Sequence, residues 1–352
     1  NTSINQSLDN RQKQFLALLG DSIQRAFYPA VTIDSFSADK ILYEKVFNGS
    51  DSFYRYSTDP QKARYSLSFV DVGQGNGNYV PDFNGANGKV YRYVPPVNGM
   101  KMGRFEPVQI LVAPRLQQLI TAAMEHKPEE GMSIRAELAS GKLDVNRFSK
   151  LNDGDDRGWA AKITFQNEDW LKQNQALQLK THLDYEWVQQ QFRPLERLRP
   201  VEFYRDWGLP LLPFPIFVNE NLLSASATLS AQQQHSAGYR LTHYRRSDDY
   251  NGFQHSAFHH LQWKGWNLNN RFSLTSYRYG DKTGAFWRPV LDLYKELKKL
   301  QHWRFGMNYM LEKNKIQTRS NGMIQPDAFW FDVFSAYLQS DPSRPNRYKT
   351  IF

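Results

Sequence analysis

A stretch of strict alternation at residues 177–187, LQLKTHLDYEW, constrains what this chain can fold into more than any other segment. Apolar or aromatic side chains and one threonine occupy its odd-numbered positions, and polar or charged side chains occupy the even-numbered ones. A period of two indicates a β-strand, because successive side chains of a strand point to opposite faces. At roughly 3.3 Å per residue the segment spans about 36 Å, whereas an ordinary core strand has only about 5–6 residues. A strand this long, oily on one face and charged on the other, suits a wall between lipid and water.

Other alternating segments follow in residues 116–352, separated by short polar turns. Residues 119–126 and 132–139 alternate on either side of the turn KPEEG. Residues 223–231 alternate leucine and alanine with serine and threonine, which predicts a half-buried strand with the small apolar residues inside. The sequence EKNK at 312–315 predicts a turn. The region as a whole predicts about twelve strands, and their hairpin order indicates an antiparallel sheet in which neighbours in sequence pair.

Composition excludes several classes of site. The chain of 352 residues contains no cysteine, so disulfides, thiolate metal sites and a cysteine nucleophile are excluded. Its 44 basic and 35 acidic side chains give a net charge of +9, which favours acidic surfaces such as lipid phosphates. No basic helix or recognition motif accompanies that charge, so nucleic acid is not an expected partner. No run of about 18 apolar residues is present, which excludes a transmembrane helix.

Residues 1–115 show a different sequence pattern, with a helical spacing of apolar residues and a glycine-rich segment. The spacing of apolar residues over 8–27 predicts a short helix, with Asp9 as its N-cap and Gly20 as an interruption. The glycine-rich sequence VGQGNGNYVPD follows. A phosphate-binding loop needs a strand, a glycine-rich turn and then a helix start, but Pro81 comes soon after and the spacing is not GxGxxG. We therefore predict that these glycines make turns and bulges between short strands.

A resemblance to a known family rests on the motifs KARYSLSFVDVGQGNGNYVPD, KVYRYVPPVNG and GRFEPVQILVAPRLQQL, followed later by VQQQFRPLERLRPVEFYRDWGL. Spanning residues 10–350, the chain resembles a stretch of large, poorly characterised outer-membrane proteins of the Bacteroidota. In those proteins a VGxGxGxY element precedes long amphipathic hairpins. The resemblance implies an outer-membrane β-barrel of which this chain is a segment, and it supplies no catalytic residues.

Candidate functional residues fall into two groups. In a barrel, the charged side of the alternating stretch faces the lumen. The lumen-facing candidates are Lys180, His182, Asp184 and Glu186. The second group, Arg193, Arg197 and Arg199, lies among acidic residues in segment 188–217, which interrupts the strand pattern. These arginines fit an ion-paired loop folded over one mouth of the barrel, or an anion- or partner-binding patch on a long loop.

Metal binding and catalysis are alternatives with weaker support. His259 and His260 are adjacent and face opposite sides of a strand, and His255 lies about 13 Å from His259, so they do not predict a metal site. Asp184 and Glu186 share a face about 6.6 Å apart, a separation found in inverting glycosidases. Spacing alone establishes no chemistry, so neither an active site nor a metal is inferred.

The sequence therefore predicts an all-β protein, an antiparallel up-and-down meander that forms a transmembrane β-barrel of about 12 strands or part of a larger barrel. A smaller mixed, Gly-rich β region at 1–115 precedes the hairpins of 116–352. The predicted function is that of an outer-membrane barrel protein with a structural, transport or assembly role and with no cofactor. Expected partners are the lipid bilayer, lipopolysaccharide and envelope proteins. The competing hypothesis is a secreted or periplasmic module that binds glycans or proteins, because segments such as 239–245 carry polar residues on both faces.

Overall fold

The computed structural model describes residues 7–49, 51–83, 88–171, 177–210, 216–231, 234–297, 303–340 and 348–351. Contacts divide the chain into two compact units. The first unit runs to Leu116 and includes Asp144–Gly154, and the second comprises Gln117–Leu143 and the residues from Asp155 onward. The division predicted between residues 115 and 116 differs from this one mainly by the loop Asp144–Gly154, which packs with the first unit.

The first unit begins with helix α1, Asn10–Leu18. Asp9 caps the helix in a reciprocal box, because its carboxylate accepts from the Gln12 N–H while the Gln12 side chain accepts from the Asp9 N–H. The helix ends before Gly20, whose φ of +57° does not continue a right-handed helix. The predicted cap and the predicted interruption are both confirmed.

Short strands make up most of the rest of the first unit. They are β1 Phe27–Pro29, β2 Val31–Ile33, β3 Tyr43–Asn48, β4 Asp51–Tyr56, β5 Tyr65–Leu67, β6 Val70–Asp71, β7 Tyr79–Asp82, β8 Val90–Tyr93, β9 Phe105–Glu106 and β10 Val108–Ile110. Strand β1 pairs with β10, and two four-stranded sheets have the orders β2-β5-β3-β4 and β6-β9-β7-β8. Single turns of 3₁₀ helix occur at Ile23–Arg25 and Asp153–Asp155.

Aromatic rings from the two four-stranded sheets pack on one another. The Phe69 ring lies 5.6 Å from that of Tyr43, 5.0 Å from that of Tyr79 and 4.4 Å from that of Tyr91, measured between centroids. Tyr43 and Tyr79 are only 1% and 3% exposed. Their hydroxyl oxygens accept hydrogen bonds from the backbone N–H groups of Tyr91 and Tyr54, at 3.0 and 2.9 Å. The aromatic core of the unit is therefore buried with its polar atoms satisfied.

The glycine-rich segment forms a tight turn, as predicted. Gly73 and Gly75 have φ angles of +91° and +79°, and strand β7 follows them where a phosphate-binding loop would open a helix. A Cβ at Gly77 would lie 2.4 Å from the carbonyl oxygen of Phe105. This close approach of two backbone segments requires glycine at that position.

A 12-stranded antiparallel sheet forms most of the second unit, and its strand order follows the sequence from β11 to β22. The strands are β11 Leu116–His126, β12 Met132–Asp144, β13 Arg157–Trp170, β14 Leu177–Val188, β15 Glu220–Ala231, β16 His235–Arg246, β17 Tyr250–Trp263, β18 Trp266–Tyr279, β19 Lys282–Leu297, β20 Trp303–Thr318, β21 Phe329–Gln339 and β22 Lys349–Ile351. A short helix, α2, spans Phe203–Asp206. The predicted all-β class and antiparallel meander are confirmed. Among the described residues, no helix is both long and apolar enough to cross a membrane.

The sheet has two chemically different faces. We call the apolar face the side that carries the odd-numbered residues of β13–β17, β19 and β20 and the even-numbered residues of β12, β18 and β21, and we call the opposite side the polar face. In-register pairing places Ile163, Tyr185 and Leu223 side by side on the apolar face. The same registers place Thr164, Asp184 and Ser224 side by side on the polar face.

Two local predictions are wrong. Residues 312–315 continue strand β20, because Glu312 and Asn314 are buried on the polar face while the two lysines between and after them are exposed on the apolar face. In β15, Leu223 and Leu229 belong to the more exposed row, at 41% each, and are not inside. The less exposed row of that strand carries the hydroxyl side chains.

The described sheet is open. Strands β11 and β22 stand at its two ends, and among the described residues they do not pair with each other. The twelve predicted strands are present, whereas closure into a barrel is not a feature of the part of the chain that the structure describes.

The buried tyrosines of the first unit generate a prediction at high pH. Burial raises the pKa of Tyr43 and of Tyr79 to about 12, from an ordinary value of 10.0. The unfolded chain therefore loses these protons first, so the stability they contribute is present below pH 10 and is lost towards pH 12, at about 1.4 kcal/mol per group and pH unit. We expect the tyrosinate absorbance to show a late step at high pH that coincides with unfolding of the first unit. Tyr43→Phe and Tyr79→Phe should each reduce the amplitude of this step.

The same substitution at an exposed tyrosine supplies the control, because Tyr348 is 64% exposed. Tyr348→Phe should leave the high-pH unfolding of the first unit unchanged. The same amplitude in Tyr43→Phe and Tyr79→Phe as in the parent chain would contradict the assignment.

Candidate functional site

The candidate site is the long connection between β14 and β15, residues 189–219, which we call the inserted loop. The structure describes it except for residues 211–215. Its other residues include helix α2 and lie against the polar face, towards one end of strands β16–β20. At this end the polar face is buried, as Tyr244, Tyr250 and Tyr277 are all less than 10% exposed.

Arg199 forms the first ionic attachment of the inserted loop. Its guanidinium lies 2.6 Å from a Glu186 carboxylate oxygen on β14 and 2.7 Å from a Glu220 carboxylate oxygen on β15, and the side chain is only 7% exposed. The guanidinium also lies over the ring of Phe203, at 5.0 Å. Burial by itself lowers the pKa of Arg199, but Glu186 and Glu220 outweigh this and hold that pKa above its ordinary value. One cation thus joins the loop to two neighbouring strands.

A second ionic cluster attaches helix α2. Asp206 accepts from Arg288 at 2.8 Å, and Arg205 donates to Glu312 at 2.7 Å. Arg288 also donates to Glu312, at 3.1 Å, so strands β19 and β20 share the network with the helix. Burial raises the pKa of the Asp206 carboxyl above its ordinary value, although Arg288 and Arg205 oppose this shift. The four charges, two of each sign, compensate one another next to the sheet.

Apolar contacts complete the attachment. Trp207 and Leu209 are 3% and 5% exposed, and they belong to one buried cluster with the rings of Tyr244, Tyr250, Tyr277 and Phe286 and with Ile316. The Tyr250 hydroxyl donates to the Trp207 carbonyl oxygen at 2.6 Å. Gly208 between them has a φ of +63°, and a Cβ there would lie 2.3 Å from the Tyr277 ring. The sequence WGL at 207–209 therefore requires glycine at its central position in order to pack against this buried cluster.

The four lumen-facing candidates lie on the polar face with the inserted loop. Lys180 pairs with Glu168 at 2.9 Å, and Glu186 is held by Arg199. Asp184 accepts from the Thr164 hydroxyl at 2.7 Å and contacts the His182 ring. Each carboxylate of the Asp184 and Glu186 pair therefore has its own partner.

The three loop arginines line one cavity of about 630 Å³, but their roles differ. The Arg199 guanidinium is engaged by two carboxylates, those of Glu186 and Glu220, and is not free to bind an anion. Arg193 stacks on the Phe217 ring, at 3.7 Å from the centroid, and burial lowers its pKa below the ordinary value. Arg197 is exposed and forms no ion pair with any described residue. In the predicted patch, Arg199 therefore attaches the loop to the sheet. Arg193 and Arg197 are the two members of the patch that contact no carboxylate in the described chain.

The histidines of β17 do not converge. His255 on the apolar face bonds to the Tyr239 hydroxyl at 2.6 Å, and His260 on the polar face bonds to Asn269 at 2.6 Å. His259 lies on the apolar face, opposite in direction to His260, as their adjacency in sequence requires.

The members of the second ionic cluster are not among the functional residues predicted from the sequence. Arg288 and Glu312 lie on different strands, 24 residues apart. One sequence pattern could have located Glu312. The period-two alternation of this segment places Glu312 on the same side of the strand as Asn314, and hence on the polar face.

No family model matches this chain, no curated protein is similar to it, and no solved structure matches it. The two faces of the sheet and the inserted loop are therefore the features of this chain that point to a function.

Arg199 is the residue whose loss we expect to release the inserted loop. Arg199→Met leaves Glu186 and Glu220, which are 18% and 12% exposed, without the buried cation that joins them, and loss of such a pair costs about 3–5 kcal/mol. We expect a lower midpoint of chemical unfolding and faster protease cleavage within residues 189–219.

Two further variants separate the effect of losing the ion pair from the effect of losing an arginine side chain. Arg197→Met removes an exposed arginine of the same loop and should change stability by less than about 0.5 kcal/mol. The triple variant R199M/E186Q/E220Q removes the uncompensated charge and should recover most of the loss. Equal effects of R199M and R197M would show that the Arg199 attachment does not hold the loop.

Proposed function

We propose that the second unit spans the outer membrane as a β-barrel or as part of one, and that the protein has a structural, transport or assembly role there, without catalytic activity. The observation that supports this most directly is the exposure of large apolar side chains on the apolar face. Leu183, Tyr185 and Leu223 are 44%, 39% and 41% exposed, although they stand side by side in mid-sheet. Water disfavours a continuous surface of this kind, and hydrocarbon does not.

The strand lengths are compatible with a bilayer. Strands β14 to β20 contain between 12 and 16 residues each. At about 3.3 Å per residue and a tilt of roughly 45°, such strands cover about 28–37 Å along the membrane normal, against an apolar band of about 25 Å in outer-membrane barrels. The opposite face carries the hydrogen-bonded and ionic side chains that a lumen requires.

Spanning a bilayer imposes one further condition on the sheet. Unpaired backbone N–H and C=O groups at a lipid-exposed edge cost several kcal/mol each, so β11 and the strand at the other end must be paired in the membrane. The proposal therefore includes completion of the sheet, by these edges meeting or by further strands. The inserted loop would then occupy the lumen at one mouth, with Arg197 exposed there as a contact for an envelope partner.

The proposed location also extends the resemblance found in the sequence. A membrane-spanning role fits the outer-membrane proteins of the Bacteroidota that the motifs resemble, and the lipid bilayer and lipopolysaccharide are then its surroundings. A soluble glycan- or protein-binding module is the alternative that the experiment below separates from it.

Two adjacent positions of β15 test the proposal, since the chain has no cysteine of its own. Ala225 lies in the more exposed row and Ser226 in the less exposed row of the same strand. We make Ala225→Cys and Ser226→Cys in the full chain, in membranes, and measure labelling by a charged, water-soluble maleimide. A thiol in hydrocarbon stays protonated and unreactive, so Cys at 226 should react faster by about an order of magnitude or more.

A soluble protein gives the opposite order, because Ala225 is then the more accessible position. Faster labelling at 225, together with solubility in plain buffer, would refute the membrane assignment and favour the binding module. Extraction only by detergent and heat-modifiable migration of the purified chain are the expected companion results.

A further inference from the structure

The apolar face carries a group of cations at one end of its strands. They are Arg245 on β16, Arg278 on β18, and Lys313 and Lys315 on β20, and we call them the basic rim. All are exposed. They lie at the end of the strands that also carries the inserted loop, because β16 and β18 end just after Arg245 and Arg278 and β20 ends at Thr318.

Strand register brings Arg245 and Arg278 to one level, and it places Lys315 and Lys313 two and four residues from that level, towards the middle of β20. Asn251 pairs with both Arg245 and Arg278, so the two arginines lie two strand spacings apart, about 10 Å. Lys313 and Lys315 share a face and lie about 7 Å apart along β20. These spacings are comparable to the distances between neighbouring lipid head groups, so several phosphates can be contacted at once.

None of the four cations has a counter-ion among the described residues. Arg199 of the inserted loop and Arg246 and Arg288 of the polar face differ in this respect, since each of these three pairs with a carboxylate. Among the described apolar-face residues of β16–β21, Asp332 is the one carboxylate, and it stands opposite Leu311. The basic rim is therefore an uncompensated positive strip next to an apolar surface.

Two tryptophans flank one of these lysines. Lys313 pairs in register with Trp287 on one side and with Trp330 on the other. The two indoles are 45% and 68% exposed. Tryptophan and lysine together are typical of the level at which hydrocarbon gives way to head groups, because the ring is amphipathic and the ammonium attracts phosphate.

The opposite end of the same strands is different. There the exposed indoles Trp263 and Trp266 carry Lys264 and Lys295 over their rings, at 5.0 and 5.1 Å. Lys295 also donates to the Lys264 carbonyl oxygen. The cations at this end are thus engaged within the protein, and those of the basic rim are not.

From this asymmetry we infer that the basic rim binds the phosphate groups of membrane lipids at the end of the barrel that carries the inserted loop. The inference rests on the proposed membrane-spanning function and adds the chemistry and the side of the lipid contact. Charge complementarity and continuity with the apolar face favour a lipid head group over other anions.

Energy transfer from the protein's tryptophans to a dansyl-labelled lipid tests the inference, because Trp287 and Trp330 lie next to Lys313. The full chain is purified in a neutral maltoside, and dansyl-phosphatidylglycerol or dansyl-phosphatidylcholine is titrated in. We expect the anionic lipid to be favoured by the parent chain, and K313Q/K315Q to weaken its apparent affinity by about fivefold for each cation removed. Arg245→Gln/Arg278→Gln should give a loss of similar size.

The matched control removes two exposed cations from helix α1. R11Q/K13Q makes the same change in net charge and should leave the preference for the anionic lipid intact. Equal affinity of the parent chain for the two lipids would overturn the inference, and so would equal losses in K313Q/K315Q and R11Q/K13Q. A change of oligomeric state in K313Q/K315Q with unchanged lipid affinity would also overturn it, by assigning the strip to a protein contact.

Failure of the inference and failure of the proposed function give different results. A chain that needs no detergent and labels faster at position 225 refutes the membrane role itself. A chain that needs detergent, labels faster at 226 and shows no preference for the anionic lipid refutes only the role of the basic rim.

Discussion

The long strands of the second unit, with the exception of β21, keep their alternate side chains in two different environments, and most of the structure follows from that constraint. A strand directs successive residues to opposite faces, so 177–187 cannot bury its leucines and its charges on one side. In-register pairing then transmits the constraint from strand to strand. Ile163, Tyr185 and Leu223 lie side by side because a shift of one residue in either register would put a polar row among them.

The polar face has to be satisfied within the protein, and the inserted loop accomplishes this at one end. Rings and hydroxyls of β16–β19 are buried there by Trp207 and Leu209, and the carboxylates of Glu186, Glu220 and Glu312 receive arginines from the loop or from β19. A buried ion pair is weak as a source of net stability, because desolvation offsets much of the attraction. Its larger effect is on the choice of one loop position, since any other position would leave these carboxylates, of which Glu312 is buried, without a cation.

Local patterns predicted what depends on neighbours in sequence. The strand over 177–187, the cap at Asp9 and the turn after Gly73 are each specified within about ten residues, and each is present in the structure. The contact between Arg205 and Glu312 joins residues 107 positions apart, and no local pattern encodes it. The mistaken turn at 312–315 has the same origin, because a strand whose charges alternate between a protein-covered face and an exposed face has the composition of a turn.

The inserted loop marks the other limit of prediction. Composition groups its three arginines, and all three line one cavity in the structure. Composition did not distinguish Arg199, which pairs with two glutamates, from Arg197, which is exposed. That difference depends on where β14 and β15 place Glu186 and Glu220, which is settled only when the sheet has formed.

The last long strand departs from the separation of faces, and this bears on how the sheet ends. On β21 the polar face carries Phe329, Phe331 and Val333, and all three are exposed. Its apolar face carries Trp330 and Phe334, at 68% and 65% exposed. A strand that lines a water-filled lumen needs one polar row. On β21 the row on the polar face is apolar and exposed, so this face of the strand suits neither bulk water nor a lumen. Apolar residues on both faces are typical of a strand that is covered on both, so the proposed completion of the sheet would have to cover β21 on both faces.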